Sequence, residues 1–171
     1  MDNSTPRLLL GLAVLVLAIA FVVGLAVTPY LHGQPILLTP DNRQVKEYLD
    51  TYAAHLASAE KEHARLAAML APTRPGSAAS GVFDLSQQAR GSQANLDALA
   101  SVIEQTKVPG GLAPLDQALR AALASELNFA DQVLTFVGRG DETTRADALS
   151  ADDDAQVKLG EARTALTNTL R

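Results

Sequence analysis

One uninterrupted apolar stretch most restricts what this chain can fold into. Residues 8–27 read LLLGLAVLVLAIAFVVGLAV, twenty residues without a charge or a polar side chain. As a helix they would be roughly 30 Å long, which matches the hydrocarbon core of a bilayer. Backbone groups in lipid must be hydrogen-bonded within the segment, so a single span has to be helical. The stretch is therefore predicted to be a transmembrane helix.

This helix is predicted to be retained as a signal-anchor. The apolar part of a cleaved signal peptide usually has about 7 to 15 residues and ends at a small-residue cleavage site. Here the run is longer, and the best small-residue candidate, residues 24–26, lies inside it. Both features favour an anchor over a leader that is removed.

The charges on either side of the span predict its orientation. Arg7 precedes the span, whereas no charged residue follows it before Asp41. An excess of cationic residues marks the cytoplasmic side of a membrane segment. Residues 1–7 are therefore expected in the cytoplasm, and residues 28–171 outside it, in the periplasm or at the cell surface.

Residues 28–40 form a linker with three prolines in thirteen positions, which favours an extended path. Tyr30 suits the headgroup level just beyond a span. Residues 36–38 are more apolar than a linker exposed to solvent requires. They are therefore expected to pack either on their own domain or on a neighbouring subunit. In the span, Ala20 and Gly24 form a small-xxx-small pair that lets a second helix, from another subunit or a second copy, approach closely. The predicted partner-binding residues are Ala20, Gly24, Tyr30, Ile36, Leu37 and Leu38.

Residues 41–171 are predicted to form one domain of four amphipathic helices. Apolar residues recur at the spacing of one helix face, alternately four and three positions apart in the first two helices. Pro/Gly-rich stretches separate the segments. No stretch alternates apolar and polar residues in the manner of a strand, so no strands are predicted. The helices are expected at residues 41–71, 84–107, 113–137 and 144–170, with Ser150 and the acids after it as an alternative start of the last.

The same spacing predicts which residues face inward. In the first two helices these are Val45, Leu49, Tyr52, Leu56, Ala59, His63, Leu66 and Leu70, then Leu85, Ala89, Ser92, Leu96, Leu99 and Ile103. In the last two they are Leu115, Leu119, Leu123, Leu127, Ala130, Leu134 and Val137, then Leu149, Ala155, Leu159, Ala162, Leu166 and Leu170. Narrow stripes joined by short loops predict an all-α, up-down-up-down four-helix bundle.

Composition excludes several kinds of chemistry. The chain has no Cys, which excludes disulfides, thiolate metal sites, a Cys nucleophile and covalent c-type haem attachment. It has a net charge of −5 and no cluster of Lys or Arg, so nucleic acid is not an expected partner. No Gly-x-Ser-x-Gly, phosphate-binding glycine loop or His-Glu-x-x-His motif occurs, so the protein is not expected to be an enzyme.

One pair of residues has the spacing of a metal site. Glu60 and His63 form a Glu-x-x-His pair on a predicted helix, the unit of di-iron carboxylate bundles. Such a site needs the pair twice, and neither His32 nor His55 has a Glu three residues before it. His63 is therefore predicted to be a packed or hydrogen-bonded histidine. His55 is predicted to lie on the surface. The protein is not expected to bind a metal or another cofactor.

Two functions fit this organisation. The first is a non-catalytic, single-pass accessory subunit that binds other integral membrane subunits of a larger assembly, such as a respiratory or photosynthetic complex. The second is a ligand-sensing domain outside the cytoplasm. The layout broadly resembles the four-helix sensor domains of bacterial chemoreceptors, although those have a second span and a cytoplasmic signalling region. Purification under gentle solubilisation separates the two functions.

Overall fold

The computed structural model describes residues 30–31, 34–35, 40–71 and 79–170, with side chains given for 42–71 and 81–170. None of the helices in these ranges is long and apolar enough to cross a bilayer. The predicted span and most predicted partner-binding residues lie outside the described residues, namely Ala20, Gly24, Ile36, Leu37 and Leu38. Tyr30 is described in its backbone alone.

Four α-helices account for the region after residue 39. They are α1 (Pro40–Met69), α2 (Ala79–Gln105), α3 (Ala113–Arg139) and α4 (Glu142–Leu170). In the linker, β1 (Tyr30–Leu31) pairs antiparallel with β2 (Gln34–Pro35), Tyr30 opposite Pro35 and Leu31 opposite Gln34. A pairing of two residues is too short to leave a periodic signal in the sequence. The prediction of an all-helical bundle is confirmed for residues 40–71 and 79–170.

The boundary between α3 and α4 shows how local chemistry sets the helix ends. Gly140 has a φ of 68° and donates its N–H to the Phe136 carbonyl at 2.7 Å, a left-handed cap that glycine adopts without steric cost. The next residue, Asp141, accepts the N–H of Thr144 at 2.8 Å and caps the start of α4. The alternative start at Ser150 is wrong, because that residue lies inside α4.

Contacts between the helices give an up-down-up-down arrangement. The start of α1 lies beside the start of α3, where the Tyr48 hydroxyl donates to Asp116 at 3.2 Å. The end of α2 also lies beside the start of α3, since Arg120 donates to the Ile103 carbonyl at 2.8 Å. After the turn at Gly140, α4 runs back along α3, and these two helices make the most extensive contact between elements. Therefore α1 and α3 run one way, and α2 and α4 the other.

The predicted inward faces of α1 and α2 are correct, since every residue assigned to them is buried or half-buried. The residues assigned to the inward face of α3 are also buried or half-buried, but the prediction left out several of the most deeply buried ones. The central residues of α3 are Ala122, Glu126, Phe129 and Val133, each 0% exposed, while Leu127 and Leu134 are half-buried at the edge.

The face predicted for α4 is partly wrong. Leu149 and Leu170 are 40% and 41% exposed, whereas Ala148 and Ala151, which were not assigned to this face, are 0% and 5% exposed. The assigned Ala155, Leu159 and Ala162 are buried as predicted. Alanines let the α4 backbone pack closely on α3. The small side chains therefore define the inward face of α4, and Leu149 lies outside it.

Candidate functional site

A buried charged cluster lies where α1, α3 and α4 meet. His63 Nδ1 is 3.0 Å from Glu126 Oε1, and His63 Nε2 is 3.4 Å from Asp152 Oδ1. The Glu126 side chain is 0% exposed, and those of His63 and Asp152 are 13% and 14% exposed. The ring of Phe129 lies 5.3 Å from the imidazole, centroid to centroid. One imidazole on α1 thus lies between two carboxylates from two other helices.

The attraction within this cluster is electrostatic. Neither His63 Nδ1 nor the Glu126 oxygens complete an aligned hydrogen bond, despite the short distance. Glu126 contributes most to raising the pKa of His63, burial opposes it, and the charges of Asp152 and Glu60 raise it further. An imidazole with a carboxylate at each nitrogen is best matched to both when both nitrogens carry hydrogen. The cluster therefore favours the imidazolium form.

The predicted Glu60–His63 pair does not form a shared ligand site. The Glu60 carboxylate pairs with Arg163 on α4, with Arg163 Nη2 at 2.5 Å, and both nitrogens of His63 face other carboxylates. Within residues 42–71 and 81–170, no group of three or more His, Asp and Glu side chains is arranged to hold a metal ion.

A second buried polar cluster lies near the start of α1. Tyr48 and Arg120 both donate to Asp116, the guanidinium at 2.5 Å, and burial is the main cause that raises the pKa of Tyr48. The Tyr52 hydroxyl donates to a carbonyl of α4 at 3.1 Å. The expectation that His55 lies on the surface is wrong, because His55 is half-buried and burial lowers its pKa. Its Nε2 is buried and has no hydrogen-bond partner among the described residues. A cavity of about 10 Å³ beside it has room for about one water molecule.

A solvent-open groove adjoins this cavity, at the end of the bundle where α1 begins. Its volume is about 360 Å³. The groove shares Tyr48, Thr51 and Thr106 with the cavity. Glu47 and Lys107 place one charge of each sign on its wall. The groove is therefore open to solvent and lined by both polar and apolar groups.

A third cluster joins α1 to α2. Glu62 is 7% exposed and accepts hydrogen bonds from Ser92 at 2.8 Å, Arg65 at 2.7 Å and Asn95 at 3.2 Å. Burial alone would raise the pKa of Glu62, but these three donors outweigh it and hold the pKa below its ordinary value. Glu62 is thus a buried carboxylate with its hydrogen bonds satisfied.

Glu62, Glu126 and Asp152 were not predicted from the sequence, because a charged residue on an inward helix face runs against the apolar pattern. A signal for Glu126 was present. Counting from Leu119, four-three spacing passes through Ala122, Glu126 and Phe129 to Val133, which is the buried face of α3. A glutamate in the middle of a regular apolar stripe indicates a buried charge that needs a cation.

No protein-family model, curated protein or solved structure matches this chain. Its function therefore has to follow from its own residues.

Proposed function

We propose that the protein is a non-catalytic, membrane-anchored accessory subunit whose bundle lies outside the cytoplasm and which binds other integral membrane subunits. The observation that carries this proposal is the twenty-residue apolar stretch 8–27 placed before a bundle that closes its own core. A bundle of this kind needs no partner to bury its apolar stripes. The apolar span and linker then remain available for contacts with other chains.

Two attachments are expected close to the membrane. Ala20 and Gly24 would allow a neighbouring helix to approach closely, and association in lipid depends on such packing. The run 36–38 would bury apolar side chains on the same neighbour beyond the membrane surface. Attachments joined in one chain reinforce one another, because binding at one raises the local concentration of the other.

The distal end of the bundle offers a third surface. Val82 and Phe83, in the first turn of α2, are 45% and 64% exposed. They lie at the end where α1 finishes, roughly 45 Å along that helix from Pro40. Two adjacent exposed apolar side chains at this tip suit a contact with a subunit that extends equally far from the membrane.

The anchor is expected to be present in the mature protein. Intact-mass measurement of protein isolated from its native membrane should give the full 18.0 kDa chain. Protease added outside oriented vesicles should remove the bundle and leave a small protected fragment that contains residues 8–27. A mature chain that lacks its first twenty-odd residues would show instead that the stretch is a cleaved leader.

Disrupting both membrane-proximal attachments is expected to release the protein from its complex. The variant combines Gly24→Ile with serine at positions 36, 37 and 38, and leaves the bundle unchanged. Pull-downs from gently solubilised membranes should recover companion subunits with the native chain and few with this variant.

Val22→Ile is the matched control for the change in the span, because it lies about 200° around the helix from Gly24. It should keep the companion subunits. Equal recovery with the native chain and the combined variant would place the binding surface elsewhere.

The groove beside Tyr48 favours a second function, the sensing of a small polar ligand. Its wall combines the Tyr48 ring with the polar side chains of Thr51, Thr106 and Lys107, which is the mixture that small-molecule sites use. This function would gain support if a small molecule co-purified with the chain and Thr51→Leu, which narrows the groove, abolished its binding.

A further inference from the structure

The two buried glutamates of the bundle are satisfied in different ways. Glu62 accepts three hydrogen bonds, whereas neither oxygen of Glu126 has an aligned donor among the described residues. A fully buried carboxylate without a compensating partner is strongly destabilising. Within the described residues, the charge contact of Glu126 is with His63. The stability of this part of the core therefore depends on the charge of one imidazole.

We propose that His63 is a proton-controlled clasp that joins α1 to α3 and α4. The clasp is closed when the imidazole carries two protons, one hydrogen facing Glu126 and the other facing Asp152. When one proton is lost, the neutral ring keeps one N–H and presents a lone pair at its other nitrogen. One carboxylate then faces a lone pair, and if that carboxylate is Glu126, a buried charge is left unpaired.

The charged groups that act on His63 come from three helices. Glu126 on α3 and Asp152 on α4 face its two nitrogens, and Glu60 acts from its own helix. Glu60 is itself paired with Arg163, which offsets part of its effect. From α2, Ser92 and Asn95 reach the neighbouring Glu62, and both are uncharged.

The sign of the pH dependence follows from this arrangement. The pKa of His63 is raised above its ordinary value of 6.5 in the folded chain, mainly by Glu126. Its stabilising contribution is therefore complete below pH 6.5 and is lost as the pH rises through the folded pKa. The clasp closes in acid and loosens toward alkaline pH.

Loosening is expected in the second half of α1. Tyr48 and Tyr52 hold the first half through Asp116 on α3 and a carbonyl of α4. Beyond His63, the tie from α1 to α4 is a 3.5 Å hydrogen bond from Arg145 to the Leu70 carbonyl. Glu60 keeps its ion pair with Arg163 on α4. Release of the clasp would therefore let residues 63–70 move away from α4 while the bundle remains assembled.

Two measurements on the full chain in detergent micelles test the clasp. The first is a proton NMR titration of ¹³C-labelled histidines in a His32→Gln background, where His55 serves as an internal reference on the same helix. We expect His63 to titrate above pH 6.5 and His55 below it, since burial lowers the pKa of His55. Glu126→Gln should lower the midpoint of His63 alone. A His63 midpoint below 6.5 would overturn the proposal.

The second measurement is hydrogen exchange of residues 63–70 at pH 6 and pH 9, corrected for intrinsic exchange. In the native chain, the protection factor of these amides should be lower at pH 9 than at pH 6. For every tenfold by which folding raises the proton affinity of His63, the protection factor should fall by about tenfold. In Glu126→Gln it should change little, because no buried charge depends on the imidazole. Glu62→Gln is the matched control, an adjacent buried glutamate outside the clasp, and it should keep the native pH dependence.

If Glu126→Gln does not fold, Asp152→Asn takes its place and should show a smaller loss of pH dependence, since Asp152 lies farther from the ring. The same pH dependence in the native chain and in the folded clasp variant would show that His63 does not control the contact.

Discussion

Replacing Leu56 with aspartate is expected to unfold the bundle. Leu56 is 4% exposed and lies in the core between the described helices. Burying an unpaired carboxylate there costs several kcal/mol, a large part of the roughly 5–15 kcal/mol by which a domain is stable. Urea unfolding of the full chain in mild detergent, followed by circular dichroism, should show a collapsed or absent transition.

Ala57→Asp is the control for that change. Ala57 is exposed on the same helix, one position further along. An aspartate there should alter the free energy of unfolding by no more than about 0.5 kcal/mol. If Leu56→Asp kept the native transition, the inward face of α1 would be assigned incorrectly, and with it the core of the bundle.

The second large effect is expected at His63. His63→Ala removes the cation beside Glu126, and breaking a buried ion pair from one side typically costs about 3–5 kcal/mol. Most of that cost arises because the Glu126 carboxylate is left buried without a cation, and less of it arises from the lost contacts of the imidazole. The double variant His63→Leu with Glu126→Leu should therefore recover most of the stability, because two apolar side chains can pack against Phe129 without a charge.

Metal analysis of the same variants separates a structural role of His63 from a ligand role. Metal content should be unchanged by His63→Ala, since both ring nitrogens are occupied by carboxylate contacts. A stoichiometric metal lost in His63→Ala, or a double variant as unstable as the single one, would contradict the assigned role.

The parts of the fold that the sequence predicted are those where large apolar side chains occupy one face. In α1, Leu49, Leu56 and Leu66 lie on one stripe of residues with four-three spacing. Each of these leucines stabilises the fold mainly through burial of its apolar side chain. The Pro/Gly stretches between helices are equally informative, because they cannot continue a helix. The spacing of the apolar residues and the helix-ending Pro/Gly stretches together were enough to predict four helices.

Prediction from the sequence was wrong or incomplete where a small or charged residue, rather than a large apolar one, lies on an inward helix face. Ala148 and Ala151 are buried although the neighbouring Leu149 is exposed, because small side chains let α4 pack on α3, and that packing is a property of the assembled bundle. Glu126 and Asp152 come within reach of His63 only when three helices pack together. No local signal in any one helix shows that these three residues meet.

The proposed function requires that other subunits hold the protein in its membrane. Its native mass, measured after solubilisation in a mild detergent and without crosslinking, answers that question. The proposed function predicts a particle well above 18.0 kDa that contains this chain and at least one other integral membrane protein. A monomer that carries only detergent would contradict it and would leave ligand sensing at the groove beside Tyr48 as the better-supported function.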